Sequence, residues 1–218
     1  NIKKELEEEK MPVIMITAYP DFTHPDKLQR EREKDYFIRD IALASYLGAK
    51  YLRITAGQAH PETGIQKGIS FAAEAFKEMD SIAGKYNIRL LYENHTKPGA
   101  WNLPDFSMPF EIFSEIAEKI KGTGIKLNLD LGNLLVCGRD PLQVLDIMYP
   151  MVETIHASDM KQKGKFEPTA IGKGAVPYPE VLQYLKEKDF DKWICIEEAS
   201  FRGLEGVREA VAFIKNLL

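Results

Sequence analysis

The chain has only two cysteines, Cys137 and Cys195, in 218 residues. Two cysteines so far apart make neither a disulfide framework nor a zinc knuckle, and they point to a reducing, cytoplasmic setting. Long apolar runs are missing as well. No stretch approaches the ~20 residues needed to span a bilayer. The opening NIKKELEEEK is charged where a secretory leader would be apolar. There is no excess of positive charge either. Lys and Arg number 29 against 33 Asp and Glu, giving a formal net charge of −4, and the bases are scattered. Nothing in this charge pattern favours nucleic acid or a membrane surface as a partner. Low-complexity tracts and linkers are also absent, so one domain over residues 1–218 is expected.

What the chain does have is rhythm. Short apolar runs at 12–18 (PVIMITA), 51–57 (YLRITAG), 89–94 (RLLYEN), 126–132 (KLNLDLG), 153–159 (ETIHASD) and 193–199 (WICIEEA) read as strands. Helix-period stretches at 33–48, 71–86, 109–122, 141–152, 179–190 and 204–218 separate or follow them. Strand and helix alternating at intervals of roughly 30–40 residues imply parallel strands joined by right-handed crossovers. The α/β class is therefore expected, as a doubly wound sheet or a β/α barrel. A (β/α)8 barrel needs eight strands and six are visible. The chain also opens inside a helix, so one or two N-terminal units are expected to be missing.

Polar residues gather at the carboxyl ends of these strands, where parallel sheets bind ligands. Strand three ends on Glu93-Asn94-His95 and strand four on Asp130-Leu-Gly-Asn133. Strand five ends on His156-Ala-Ser-Asp159 and strand six on Glu197-Glu198. Each can be read as a solvated rim residue, and Asp130 equally as a turn or helix cap. The alternation of strand side chains sharpens the choice. With Asp130 facing in, Asn128 joins it and Leu127 and Leu129 face the helices. With His156 facing in, Thr154 joins it. The same alternation selects Glu197 over Glu198. Glu93, Asp130, His156 and Glu197 then converge from four strands. Three crowded carboxylates repel one another, and a divalent cation relieves that cost. Three oxygens and one imidazole suit one ion of Mn, Mg, Co or Zn.

In order and spacing, LGAKYLRITAG, LLYENH, LNLDLGN, IHASD, IGKGAVPYPEVL and WICIEEA resemble the xylose isomerase-like TIM barrel family. That family holds sugar phosphate isomerases and epimerases and the family 2 apurinic endonucleases. The resemblance covers essentially the whole chain. It implies a (β/α)8 TIM-barrel type and a metal held by Glu93, Asp130, His156 and Glu197. The nuclease branch uses a histidine-rich three-zinc cluster. This chain has only His24, His60, His95 and His156, and Asn133 stands where that branch has a histidine. A nuclease therefore fits poorly.

The resemblance implies a metal-dependent isomerase or epimerase of a sugar, sugar phosphate or keto-polyol, with Glu93 and Glu197 as catalytic groups. Proton abstraction beside a carbonyl would proceed through an ene-diolate. A non-catalytic barrel and an inositol-ketone dehydratase are the alternatives. His60, Asn94, His95, Arg53, Trp101, Asn133 and Lys161 are expected to meet a small-molecule substrate, with Lys163 beside Lys161 available for an anionic group. Pairing of barrels into a homo-oligomer is left open.

Overall fold

The computed structural model describes residues 2–96 and 101–218. All six expected strands are present among the described residues: β1 (Met15–Thr17), β2 (Tyr51–Ile54), β3 (Arg89–Glu93), β4 (Lys126–Asp130), β5 (Val152–Ala157) and β6 (Trp193–Ile196). The helices are α1 (Ile2–Glu8), α2 (Lys27–Tyr46), α3 (Ile65–Lys85), α4 (Phe110–Lys119), α5 (Leu131–Val136), α6 (Pro141–Met148), α7 (Tyr178–Glu187) and α8 (Gly203–Leu217). The chain packs as two compact units, one of residues 1–93 with 99–126 and a second of 94–98 with 127–218.

In the first unit β1, β2 and β3 pair in parallel, with Met15 opposite Tyr51 and Tyr51 opposite Arg89. β2 is buried along its whole length, as expected of a parallel strand covered on both faces. Asp26 caps α2 by accepting the Leu28 N–H at 2.7 Å. Gly48, at φ +74°, ends that helix in the left-handed region that suits glycine. α3 turns Ile69, Ala72, Ala73, Phe76, Met79 and Ala83 inward at helical spacing. Phe22, Phe37, Phe76, Tyr92 and Phe113 join in a chain of packed rings with centroids 4.7–6.2 Å apart. This aromatic spine is the core of the unit.

In the second unit β4, β5 and β6 are likewise parallel, with Asp130 opposite His156 and His156 opposite Cys195. Leu127, Leu129, Ile155, Val181, Leu182 and Ile214 are buried. Asn128 and Thr154 share the other strand face, where the Thr154 hydroxyl donates to Asn128 Oδ1 at 2.7 Å. This is the alternation expected if Asp130 and His156 face the same way two residues further on. The Leu131–Val136 helix was not anticipated. Its start cuts β4 short of the expected residue 132, because Asp130 ends the strand and caps the helix at once.

Candidate metal centre and its surroundings

Asp130 sits at the junction of β4 and α5. Its Oδ1 accepts the Asn133 N–H at 2.7 Å and the Ser158 hydroxyl at 2.7 Å. Both cap and ligand readings of this residue are thus compatible, because the two oxygens do different work. Oδ1 satisfies the helix start, while Oδ2 lies 3.9 Å from His156 Nδ1. Ser158 Oγ in turn accepts the Gly132 N–H at 3.2 Å. A Cβ on residue 132 would collide with that hydroxyl, which accounts for the glycine.

His156 is buried near the end of β5. Its Nδ1 lies 3.2 Å from Glu197 Oε2. Glu197 follows β6 directly and stays in register through its N–H, which donates to the Ala157 carbonyl at 2.9 Å. Glu198 accepts the Ser200 N–H at 2.9 Å and is not one of this group. One ligand atom from each of Asp130, His156 and Glu197 lies within 4.8 Å of the others. Two donors about 2.1 Å from one ion stand about 3 Å apart at a right angle and about 4.2 Å apart across it. The observed 3.2 and 3.9 Å fall inside that span, so these residues fit a divalent ion.

Two residues expected to meet substrate make hydrogen bonds within the second unit. Asn94 donates to the Asp130 carbonyl at 2.9 Å and accepts the Asp130 N–H at 2.8 Å. It stands in for a strand neighbour, since one amide side chain offers both a donor and an acceptor. Asn133 accepts the Thr96 hydroxyl at 2.7 Å through its Oδ1. An amide at a strand end looks the same in sequence whether it meets a sugar or a backbone. His95 is buried. Lys161 and Lys163 are exposed.

Sequence reasoning missed Asp159. This buried carboxylate accepts four backbone N–H groups: Met160 and Val176 at Oδ1, Gly172 and Gly174 at Oδ2, all at 2.9–3.1 Å. It fastens both ends of the loop between β5 and α7. Burial raises its pKa, and the four N–H groups oppose that shift. The loop base is closed by Tyr178, whose hydroxyl donates to the Ser158 carbonyl at 2.7 Å. Burial, with the charges of Asp159 and Asp130, pushes the Tyr178 pKa well above its ordinary value. The signal for this clamp was the Gly-x-Gly at 172–174, since a Cβ on Gly174 would overlap the Asp159 carboxylate.

In the first unit Glu93 ends β3 fully buried and lies 2.8 Å from Arg53 Nη1, itself buried at the corresponding end of β2. Arg53, expected to meet substrate, stands in an ion pair with this carboxylate. Its guanidinium also lies 4.1 Å from the Tyr19 ring centroid. Tyr19 meets Trp101 edge to face at 5.9 Å. His60, expected to meet substrate, pairs with Asp21 at 2.7 Å. Asp21 also accepts from the backbone and side chain of Gln58 and from the Thr23 hydroxyl. Beside His60 lies an apolar cavity of about 480 Å³ lined by Pro61, Ile65, Phe106 and Met108 among others.

Comparison with known proteins agrees with this architecture. Inosose dehydratase of Bacillus thuringiensis (strain Al Hakam) is 20% identical over 143 residues, which are 57% of this chain and 45% of that protein. The aligned part thus spans less than half the length of the curated relative. A D-tagatose 3-epimerase-like protein superposes with TM-score 0.84 at 17% identity, over 99% of this chain and 80% of the other. The IOLI protein with a bound zinc atom gives TM-score 0.81 at 17% identity, over 100% and 81%. The family model described as xylose isomerase-like TIM barrel matches residues 1–217. With six β/α units among the described residues, the chain therefore belongs to the xylose isomerase-like TIM barrel family.

Proposed function

We propose that the protein is a divalent-metal-dependent isomerase or epimerase of a sugar, sugar phosphate or keto-polyol. The observation that carries this reading is the convergence of Asp130, His156 and Glu197 within 4.8 Å at the carboxyl ends of their strands. Glu93 is the proposed fourth ligand. Its support is a buried place at a strand end and its peptide bond to Asn94, whose side chain is fixed to Asp130. A metal held there would polarise a substrate carbonyl and stabilise the ene-diolate.

The residues of the chain do the rest. Asp130 keeps its position through Asn133 and Ser158, so its charge is available at one oxygen. One of Glu93 and Glu197 removes the proton beside the carbonyl. The other returns a proton from the opposite face in epimerisation; in isomerisation the first base delivers it to the neighbouring carbon. Arg53 holds Glu93 in place. His95 and Trp101 meet hydroxyls or a sugar face, and Lys161 with Lys163 supplies charge for an anionic substituent. A small molecule is the proposed partner. Among the described residues no helix is long and apolar enough to cross a membrane.

The test is deuterium incorporation from solvent into the α-carbon of ketoses with Mn²⁺ present. Exchange in the natural protein that disappears in Glu93→Gln and Glu197→Gln supports the assignment. Full exchange in either variant ends the role of that residue as base or ligand. The inosose dehydratase relative favours a second reading, in which abstraction is followed by loss of water. Mass analysis of an inosose incubation separates the two, since only the dehydratase gives a product lighter by one water.

A further inference from the structure

Trp101, Tyr19, Arg53 and Glu93 form one connected series within the first unit. Trp101 meets Tyr19 edge to face at 5.9 Å, the Arg53 guanidinium lies 4.1 Å from the Tyr19 ring centroid, and Arg53 Nη1 lies 2.8 Å from Glu93 Oε2 in an ion pair. Arg53 is 1% exposed and Glu93 2%, whereas Tyr19 keeps 41% of its surface in solvent and Trp101 is half-buried. The series therefore runs from a desolvated ion pair to an aromatic surface open to ligand. A core tyrosine would be covered, and a merely solvated one would not have a buried guanidinium held against its ring.

We propose that Tyr19 and Trp101 form the wall that takes the apolar C–H face of a ketose or cyclic polyol beside Glu93. Arg53 is the positioning residue that fixes this wall to the carboxylate. The inference rests on the sugar-isomerase reading and deepens it by naming its specificity surface. Aromatic rings present flat, polarisable faces with little rotamer entropy, which suits the C–H face of a sugar. The guanidinium keeps its charge under all conditions, so it can lie against the Tyr19 ring and pair with the Glu93 carboxylate at once. A ligand seated on the wall is thereby kept at a fixed distance from the proposed base. A straight-chain anion without a C–H face gains nothing from such a wall.

The experiment uses tryptophan emission as well as turnover. The chain has two tryptophans, so Trp193→Phe leaves Trp101 as the sole reporter. Metal-free and Mn²⁺-loaded protein are each titrated with a panel of ketopentoses, ketohexoses and inososes. At least one is expected to give a saturable change in Trp101 emission in both states. Tyr19→Ala should weaken that binding about tenfold, the loss expected from one stacked ring. Tyr19→Phe keeps the ring and should stay within about twofold, which separates stacking from a hydroxyl contact. In α-proton exchange, Tyr19→Ala should raise KM and leave kcat nearly unchanged. Saturable emission changes without exchange would retain the wall and remove the isomerase reading. Exchange with an unaltered KM in Tyr19→Ala would overturn the wall and retain the isomerase. No emission change with any sugar, in either metal state, overturns the wall outright.

Discussion

At the scale of single residues, Asp130 has two separable duties. Its Oδ1 caps α5 and receives Ser158, while its charge at Oδ2 faces His156. Asp130→Asn keeps an acceptor for the cap and loses the charge. It should abolish metal binding, read by elemental analysis after gel filtration, with stability changed by less than about 1 kcal/mol. Asp130→Ala loses both and should cost about 1–3 kcal/mol more, read by urea denaturation, because it strips the cap and leaves the buried Ser158 hydroxyl short of an acceptor. Equal stability of the two variants would mean that the cap contributes nothing. The residue types of this centre were legible in sequence because four strands end on metal-compatible groups. The hydrogen bonds of Asn94 and Asn133 were not, because contacts to the Asp130 backbone and to the Thr96 hydroxyl, both distant in sequence, leave no periodic trace.

At the scale of elements, the loop between β5 and α7 depends on one carboxylate. Asp159→Asn replaces two acceptor oxygens by one oxygen and an NH₂ that faces backbone donors, so at least one N–H group loses its partner. A cost of about 2–4 kcal/mol follows from broken charge-assisted bonds and an unsatisfied buried donor. Gly174→Ala should act in the same direction by steric displacement of that carboxylate. Trypsin reports both effects, since Lys161, Lys163 and Lys165 lie exposed in the loop. Cleavage there should quicken in either variant while the rest of the chain stays resistant. An unchanged cleavage pattern would show that the loop holds itself without the clamp. The strands were readable because apolar runs of parallel strands stand out against amphipathic helices. α5 was not, because six residues are too few to display a helical period, and LGNLLV reads equally well as the end of a strand.

For the whole molecule, metal and fold should be linked. An ion that binds only the folded chain stabilises it by about 2.7 kcal/mol at a concentration 100 times its dissociation constant. For a chain of this size that amounts to a rise of about 5–10 °C in Tm. Scanning calorimetry with Mn²⁺ and with chelator should show this difference, and about one ion per chain should be measured, as expected of a single mononuclear centre. Glu93→Gln should shrink the difference if Glu93 is a ligand. A full metal-dependent rise in that variant would limit Glu93 to its pairing with Arg53. The family was legible from the order and spacing of six strand-end motifs, and the match over residues 1–217 agrees. The packing into two compact units was not, because apolar periodicity marks which residues are buried and not which partner buries them.

The Asp159 clamp grips main-chain N–H groups and no side chain of the loop. The shape of the loop is thereby insulated from the identity of its exposed residues. Lys161, Lys163 and Lys165 lie exposed, so exchange of their side chains should leave the fastening at Gly172 and Gly174 intact. Such a loop is a ready site for combinatorial libraries, in which side chains are varied and the scaffold need not be rebuilt for each new variant.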